Sequence, residues 1–141
     1  MSYLQVRNTH LQLVMEERNL KKYADADACP IRNVIDRIGD KWSMLVLLLL
    51  EEAEVLRFSE IHKTVGTISQ KMLTVTLKAL EADGLVHRTV FPQIPPRVEY
   101  QLTERGQSLM PHLHSLVQWA STNMNEIRES RRVFETEFGR N

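Results

Sequence analysis

One cysteine, Cys29, stands among the 141 residues, which excludes an internal disulfide and any zinc site of the multi-cysteine kind. The five glycines never take the spacing of a phosphate-cradling loop. Charge of one sign is also lacking: 18 basic residues balance 18 acidic ones. A neutral chain does not hold a polyanion by bulk charge, so any anionic partner must be met by a local patch. The longest apolar run, residues 44–50, is seven residues, far short of the ~20 needed to span a bilayer. The first seven residues carry no basic stretch followed by an apolar core, so no secretory signal and no membrane partner are expected, and the expected location is the cytoplasm. No Ser/His/Asp set, paired-carboxylate motif or cofactor fingerprint stands out, so neither an enzyme nor a cofactor is expected. What remains is ordinary for a folded domain, with 43% hydrophobic and 26% charged residues.

Residues 4–23 contain no glycine or proline and place Leu4, Leu11, Val14, Met15 and Leu20 near helical spacing. A polar break follows at 25–28, then Cys29-Pro30, with proline suited to a first helical position. The next helix carries Ile31, Val34, Ile35 and Ile38 on one face. Gly39-Asp40 interrupts it, and 42–52 is apolar nearly all round, as a central core helix would be. Arg57-Phe58 reads as an extended link, with Ser59 capping a small helix to Val65. After the turn Gly66-Thr67-Ile68, Ser69 caps a helix over 70–83 that ends at Gly84, with Leu85 packing back. Two helices around a short glycine turn make a helix-turn-helix pattern. The period then changes to two: residues 85–91 are β-rich, and Val98, Tyr100 and Leu102 alternate with polar neighbours. The rigid loop Pro92-Gln93-Ile94-Pro95-Pro96 between them completes a hairpin wing. Thr103 caps a final helix whose apolar positions lie over 109–124; Pro111 should kink it or open a new turn. The charged stretch 126–141 should fray.

On the helix after Ser69, Leu73, Leu77 and Leu80 share one side. Lys71, Thr74, Val75 and Lys78 lie broadly opposite, with Gln70 at an edge. Gln can pair with adenine, Lys can donate to guanine, and Thr can meet a base or a thymine methyl. Ser69 sits where a helix start meets a phosphate. A solvated amphipathic face is the plain alternative, and the hairpin in the right order disfavours it. Residues 57–105 hold seven basic and five acidic residues, whereas 29–56 hold three and five. Arg88 and Arg97 flank the wing loop and could reach phosphates or the minor groove. His112 and His114, two apart on a helix, face different sides and make a poor metal pair, and no metal site is expected. Cys29 before Pro30 would put its sulfur at the positive end of a helix dipole, favouring thiolate. Asp25 and Asp27 would oppose that, and a small packed residue is the competing reading.

The set Cys29-Pro30, Gly39-Asp40-Lys41-Trp42, Arg57-Phe58-Ser59-Glu60-Ile61, residues 68–74, residues 80–86, Pro96-Arg97-Val98-Glu99-Tyr100, Leu102-Thr103, Gly106 and Trp119 resembles the HxlR family of bacterial winged-helix transcriptional regulators, relatives of the MarR group. It spans roughly 29–120 in order. Asp40 stands where that family commonly has glycine, with little expected effect on DNA binding. The resemblance implies a mainly α fold with a small β-hairpin wing, an α+β winged helix-turn-helix. Residues 1–28 would form an added dimerisation helix, 29–106 the DNA-binding domain, and 107–141 a C-terminal dimerisation helix and tail. It implies a homodimer, most simply a repressor, on a palindromic double-stranded operator; two modules one duplex turn apart (~34 Å) give the specificity that one lacks. Cysteines at this place in the family respond in some members to oxidants or electrophiles, which makes Cys29 a candidate redox sensor beside a small-molecule effector. A protein-interaction module built on the same helix and wing is the alternative function.

Overall fold

The computed structural model describes residues 20–24 and 27–139, with Thr9 and Leu13 before them. The helix expected over 4–23 lies outside the described residues except at Thr9, Leu13 and the segment Leu20–Tyr23, and that segment is a 3-10 turn. The next element is α1 (Pro30–Ile38), with Pro30 at its first position as its missing N–H predicts. Of the four apolar residues on α1, only Ile38 is buried; Ile31, Val34 and Ile35 stay about half exposed, at 53%, 45% and 52%.

Asp40 does more than interrupt. Its carboxylate accepts the amides of Trp42 at 2.8 Å and Ser43 at 2.9 Å, and the Ser43 hydroxyl as well. These satisfy donors that a helix start leaves open. Partial burial pushes the Asp40 carboxyl up, but the Ser43 and Trp42 hydrogen bonds outweigh it and hold the group below its ordinary value. The capped helix α2 (Ser43–Ala53) is the centre of the fold, with Val46, Leu47 and Leu50 fully buried.

A strand missing from the sequence expectation follows. β1 (Val55–Arg57) is three residues long, too short to show a period. Helix α3 (Phe58–Val65) starts at once, so Arg57, not Ser59, holds the cap position. The Glu60 carboxylate accepts the Arg57 amide at 3.0 Å, which fixes that start and moves Ser59 into the first turn. Helix α4 (Gln70–Ala82) follows the turn around Gly66. Gly84 takes φ +71°, a conformation costly for residues with a Cβ, and lets the Leu85 amide return to the Leu80 carbonyl at 3.0 Å. Strands β2 (Val86–Phe91) and β3 (Arg97–Leu102) form the hairpin, and β1 pairs with the other side of β3. The register places Leu56 opposite Tyr100 and Arg57 opposite Glu99, while Val86 faces Leu102 across the hairpin. All three strands are antiparallel.

Helix α5 (Glu104–Phe138) is a single 35-residue element, ~52 Å long at 1.5 Å per residue. Pro111 neither ends it nor opens a new turn: the helix is continuous through that position, where Met110 and Leu113 are anchored in the core. Nor does the charged end fray before Phe138. Arg132 holds Glu129 through two bonds of 3.0 and 2.7 Å, and the Phe134 and Phe138 rings lie 5.0 Å apart, both at helical spacing. The start of α5 is tied to the rest by Thr103, whose hydroxyl accepts the Gly106 amide at 3.0 Å and donates to the Gly84 carbonyl.

One hydrophobic cluster joins all these elements: Ile38, Leu47, Leu50, Ile61, Leu73, Leu77, Leu80, Val86, Tyr100, Leu102 and Met110 belong to it. No helix among the described residues is long and apolar enough to cross a membrane. The architecture is a winged helix: α3 and α4 in helix-turn-helix order, a three-stranded sheet carrying the wing, and a long C-terminal helix.

Asp40→Ala is expected to lower unfolding free energy by about 1 kcal/mol near neutral pH, the usual worth of a carboxylate cap. Because the folded-state pKa lies below the unfolded one, this contribution is present above the ordinary carboxylate pKa and lost as pH falls through the folded value. Urea titrations of both proteins at descending pH should therefore converge in acid.

Candidate nucleic-acid interface

Helix α4 divides its side chains cleanly. Leu73, Leu77 and Leu80 are buried, as the spacing predicts, and Thr76 joins them. Gln70, Lys71, Val75 and Lys78 are exposed on the other side. Thr74 is half-buried, and its hydroxyl donates to the Gln70 carbonyl at 2.8 Å. Ser69 accepts the Met72 amide at 3.0 Å through its side chain, as expected of a cap. The first-turn amides of a helix lack intrahelical partners, the arrangement in which an anion binds.

The two wing arginines do not act as a pair. Alternation along the strands puts Arg88 on the face shared with Tyr100 and Leu102, and Arg97 on the opposite face with Glu99. Arg88 is exposed in the middle of β2 and lines a cleft of about 250 Å³ with Thr74, Lys78, Glu81 and Tyr100. It therefore extends the exposed stripe of α4 instead of flanking the loop. Arg97 does adjoin the loop. Its guanidinium lies 4.2 Å from the Phe91 ring centre and its Nε 3.3 Å from Glu99. Cation–π stacking and an acidic neighbour hold it on the wing, half-buried.

The structure adds residues that the pattern did not single out. Arg57 and Ser59, at the start of α3, line a cleft of about 350 Å³ with Gln93, Pro95, Pro96 and Arg97 of the wing. This neighbourhood depends on β1 pairing with β3, a long-range contact with no local signal. Ile94 is completely exposed at the wing tip, an apolar side chain of the kind that can wedge into a groove. The stripe Ser69–Lys78, Arg88, the α3 start and the wing thus face outward around the helix-turn-helix.

Cys29 occupies the cap position of α1 but caps nothing with its side chain, and it is buried at 2% exposure. Its carbonyl accepts the Asn33 amide at 3.1 Å. His114 approaches Glu51 of α2, while His112 lines a separate pocket beside α1, so the two histidines diverge as their spacing predicts. Among the described residues no group of three or more His, Cys, Asp or Glu could hold a metal ion.

Comparisons with known proteins agree with this geometry. A family described as HxlR-like helix-turn-helix matches residues 37–128. An uncharacterised HTH-type transcriptional regulator of Methanothermobacter thermautotrophicus is 47% identical over 95 residues, covering 67% of this chain and 72% of that one. The redox regulator HypR in its reduced form superposes with a TM-score of 0.67 at 38% identity, covering 71% of this chain and 98% of its own. The reduced form of the transcriptional regulator YodB from Bacillus subtilis gives 0.58 at 38% identity, over 65% of this chain and 90% of its own.

Ser69→Ala removes the α4 cap without touching the core and should cost about 1 kcal/mol of stability, read as a lowered denaturation midpoint with an unchanged slope.

Proposed function

Since the chain belongs to the HxlR-like helix-turn-helix family and is a helix-turn-helix transcriptional regulator, we propose that it acts as a homodimer, inserting α4 into the major groove of each half of a palindromic operator. The observation that carries this is the division of α4. Three leucines anchor it to the core while Gln70, Lys71, Val75 and Lys78 stand outward in one stripe. In this reading Gln70 and Lys71 meet base edges, Val75 and Thr74 meet thymine methyls, and Lys78 and Arg88 meet phosphates beyond. Ser69 holds a backbone phosphate, and Arg97 supports the wing as Ile94 and Gln93 approach the minor groove. The proposed place of action is the cytoplasm and the proposed direction of control is repression.

Dimerisation is supported by apolar surface that the described residues leave uncovered. Ile31, Val34 and Ile35 of α1 and Leu116, Val117 and Trp119 of α5 are all about half exposed, more than a lone domain usually shows on two helices. A second copy covering them would set two α4 helices at a fixed spacing.

Redox control through Cys29 is proposed on the strength of the redox regulators among the similar structures. The thiol is buried, so an oxidant reaches it only after a local opening of the structure.

Lys71→Ala combined with Lys78→Ala should abolish a gel shift on selected operator duplex while leaving circular dichroism and sedimentation unchanged. The single Lys78→Ala should lower the slope of log affinity against log salt by about 0.9. Retained operator affinity in the double variant removes the assignment of α4, and salt-independent binding favours a protein partner. Separately, Val117→Asp should yield a monomer in sedimentation. Operator binding that survives diamide treatment, with Cys29 shown by mass to be oxidised, removes the redox limb.

A further inference from the structure

Helix α5 outruns the fold that it packs on. Its last buried residue is Leu113, and it continues to Phe138 with no proline or glycine after Pro111. The segment 114–138 extends ~37 Å at ~1.5 Å per residue, more than the ~30 Å width of a small domain. A helix of that length carries its end clear of its own core. The match to the HxlR-like family ends at residue 128, and the tip lies beyond it. An apolar seam runs along this extension. Val117, Met124, Ile127, Arg131, Phe134 and Phe138 follow one another at steps of seven, three or four residues and so fall on one side. Phe134 and Phe138 are 61% and 63% exposed, with their rings 5.0 Å apart. One charge interrupts the seam: Arg131, which has no ion-pair partner among the described residues.

A groove of about 450 Å³ lies along the exposed side of α2. Leu45, Leu48, Leu49 and Ala53 of α2 and Leu56 of β1 form its apolar wall, and Glu52 is the only charged residue that lines it. An apolar cavity of about 150 Å³ takes one benzene ring, so this groove has room for two. Residues 42–56 contain three acidic residues and no basic one. His114 takes Glu51, and Glu52 is left without an ion pair among the described residues. Seam and groove are therefore complements. Each is apolar except for one unpaired charge, and the two charges are opposite. Pairing two seams with one another lacks this property, because in parallel register Arg131 meets Arg131.

We propose that in the homodimer the tip of α5 lies in the α2 groove of the partner subunit, with Phe134 and Phe138 filling the groove and Arg131 pairing with the partner's Glu52. A two-fold axis makes the contact twice, so each copy gives a tip and receives one. The proposal rests on the homodimer reading and deepens it: Val117, on the proposed dimer face, begins the seam that ends at Phe138, so one surface runs from that face to the clasp. Apolar burial supplies the affinity. The arginine–glutamate pair fixes the register, because an unpaired charge in an apolar groove opposes every other alignment. The clasp touches none of the residues proposed to meet DNA.

The test uses the full chain without DNA, in sedimentation across a concentration series. Arg131→Glu and Glu52→Arg each set like charges in both clasps and should raise the dimer dissociation constant about tenfold. The double variant exchanges the two charges and should return the constant to about its wild-type value. Both residues are exposed, and circular dichroism should be unchanged in all three. In a second arm, in a Cys29→Ser background, a mixture of Leu45→Cys and Phe134→Cys chains should form a disulfide between copies on air oxidation. Val133→Cys, turned ~100° from Phe134 around the helix, should not replace Phe134→Cys in that link. A dimer whose constant ignores either single change, or a double variant no tighter than the singles, overturns the clasp and leaves the homodimer standing. Phe134→Cys chains that link to one another instead overturn the groove in favour of seam pairing. A chain that stays monomeric at every concentration overturns the homodimer itself.

Discussion

The geometry of this protein depends on a close backbone approach where four elements meet. Gly106, in the first turn of α5, lies so near the Leu85 carbonyl that a Cβ would collide with it. The Thr103 amide donates to that same carbonyl at 3.0 Å, and the Thr103 hydroxyl donates to Gly84. The end of α4, the start of β2, the end of β3 and the start of α5 are thereby fixed within one turn of chain. From this junction follow the direction in which α4 presents its polar stripe, the angle of the wing, and the path of the long helix away from the DNA-reading unit. On the same junction, one residue before Gly84, the Asp83 carboxylate holds Arg37 of α1 through two bonds of 3.0 Å and its carbonyl accepts Arg105 of α5 at 3.0 Å.

A neutral chain that reads DNA must work through placement. The positive residues of the proposed interface come from four different elements: Arg57 beside α3, Lys71 and Lys78 on α4, Arg88 on β2, and Arg97 on β3. None is part of a charge run. The sheet, packed against the helix-turn-helix through Leu56, Tyr100 and Val98, sets Arg88 on the face beside α4 and Arg57 and Arg97 on the other. Affinity built this way is sensitive to small rotations of α4 relative to the wing. In the proposed homodimer the exposed apolar faces on α1 and α5 would serve the same end, since two copies of a modest reading head multiply its selectivity.

Much of the helix-turn-helix was legible in local pattern. Pro30, Ser69, Gly84 and Thr103 each have a backbone role that the residue type announces, and each holds it in the fold. The leucine spacing of α4 identified its core face, and period two identified the hairpin strands. The errors also have local causes. Ser59 looked like a cap because serine is a strong one, but Glu60 reaching back to the Arg57 amide started the helix earlier. Of the two readings of Pro111, a kink or a new first turn, the new turn is overturned, because α5 runs continuously through that position. The charged end of α5 looked frayed because its stabilising pairs, Arg132 with Glu129 and Phe134 with Phe138, are separated by one turn.

By itself, then, the order of residues determined the family of the fold, the order of its main elements and the outward stripe after Ser69, because caps, periods and left-handed glycines act over a few residues. Tertiary structure decided which way each arginine of the wing faces, that β1 joins the sheet, that Cys29 is buried, and that Arg37, Asp83 and Arg105 meet. Those outcomes depend on groups up to 46 residues apart in sequence. Contacts at that separation are selected by how helices and sheet share one core, and no local rule specifies them.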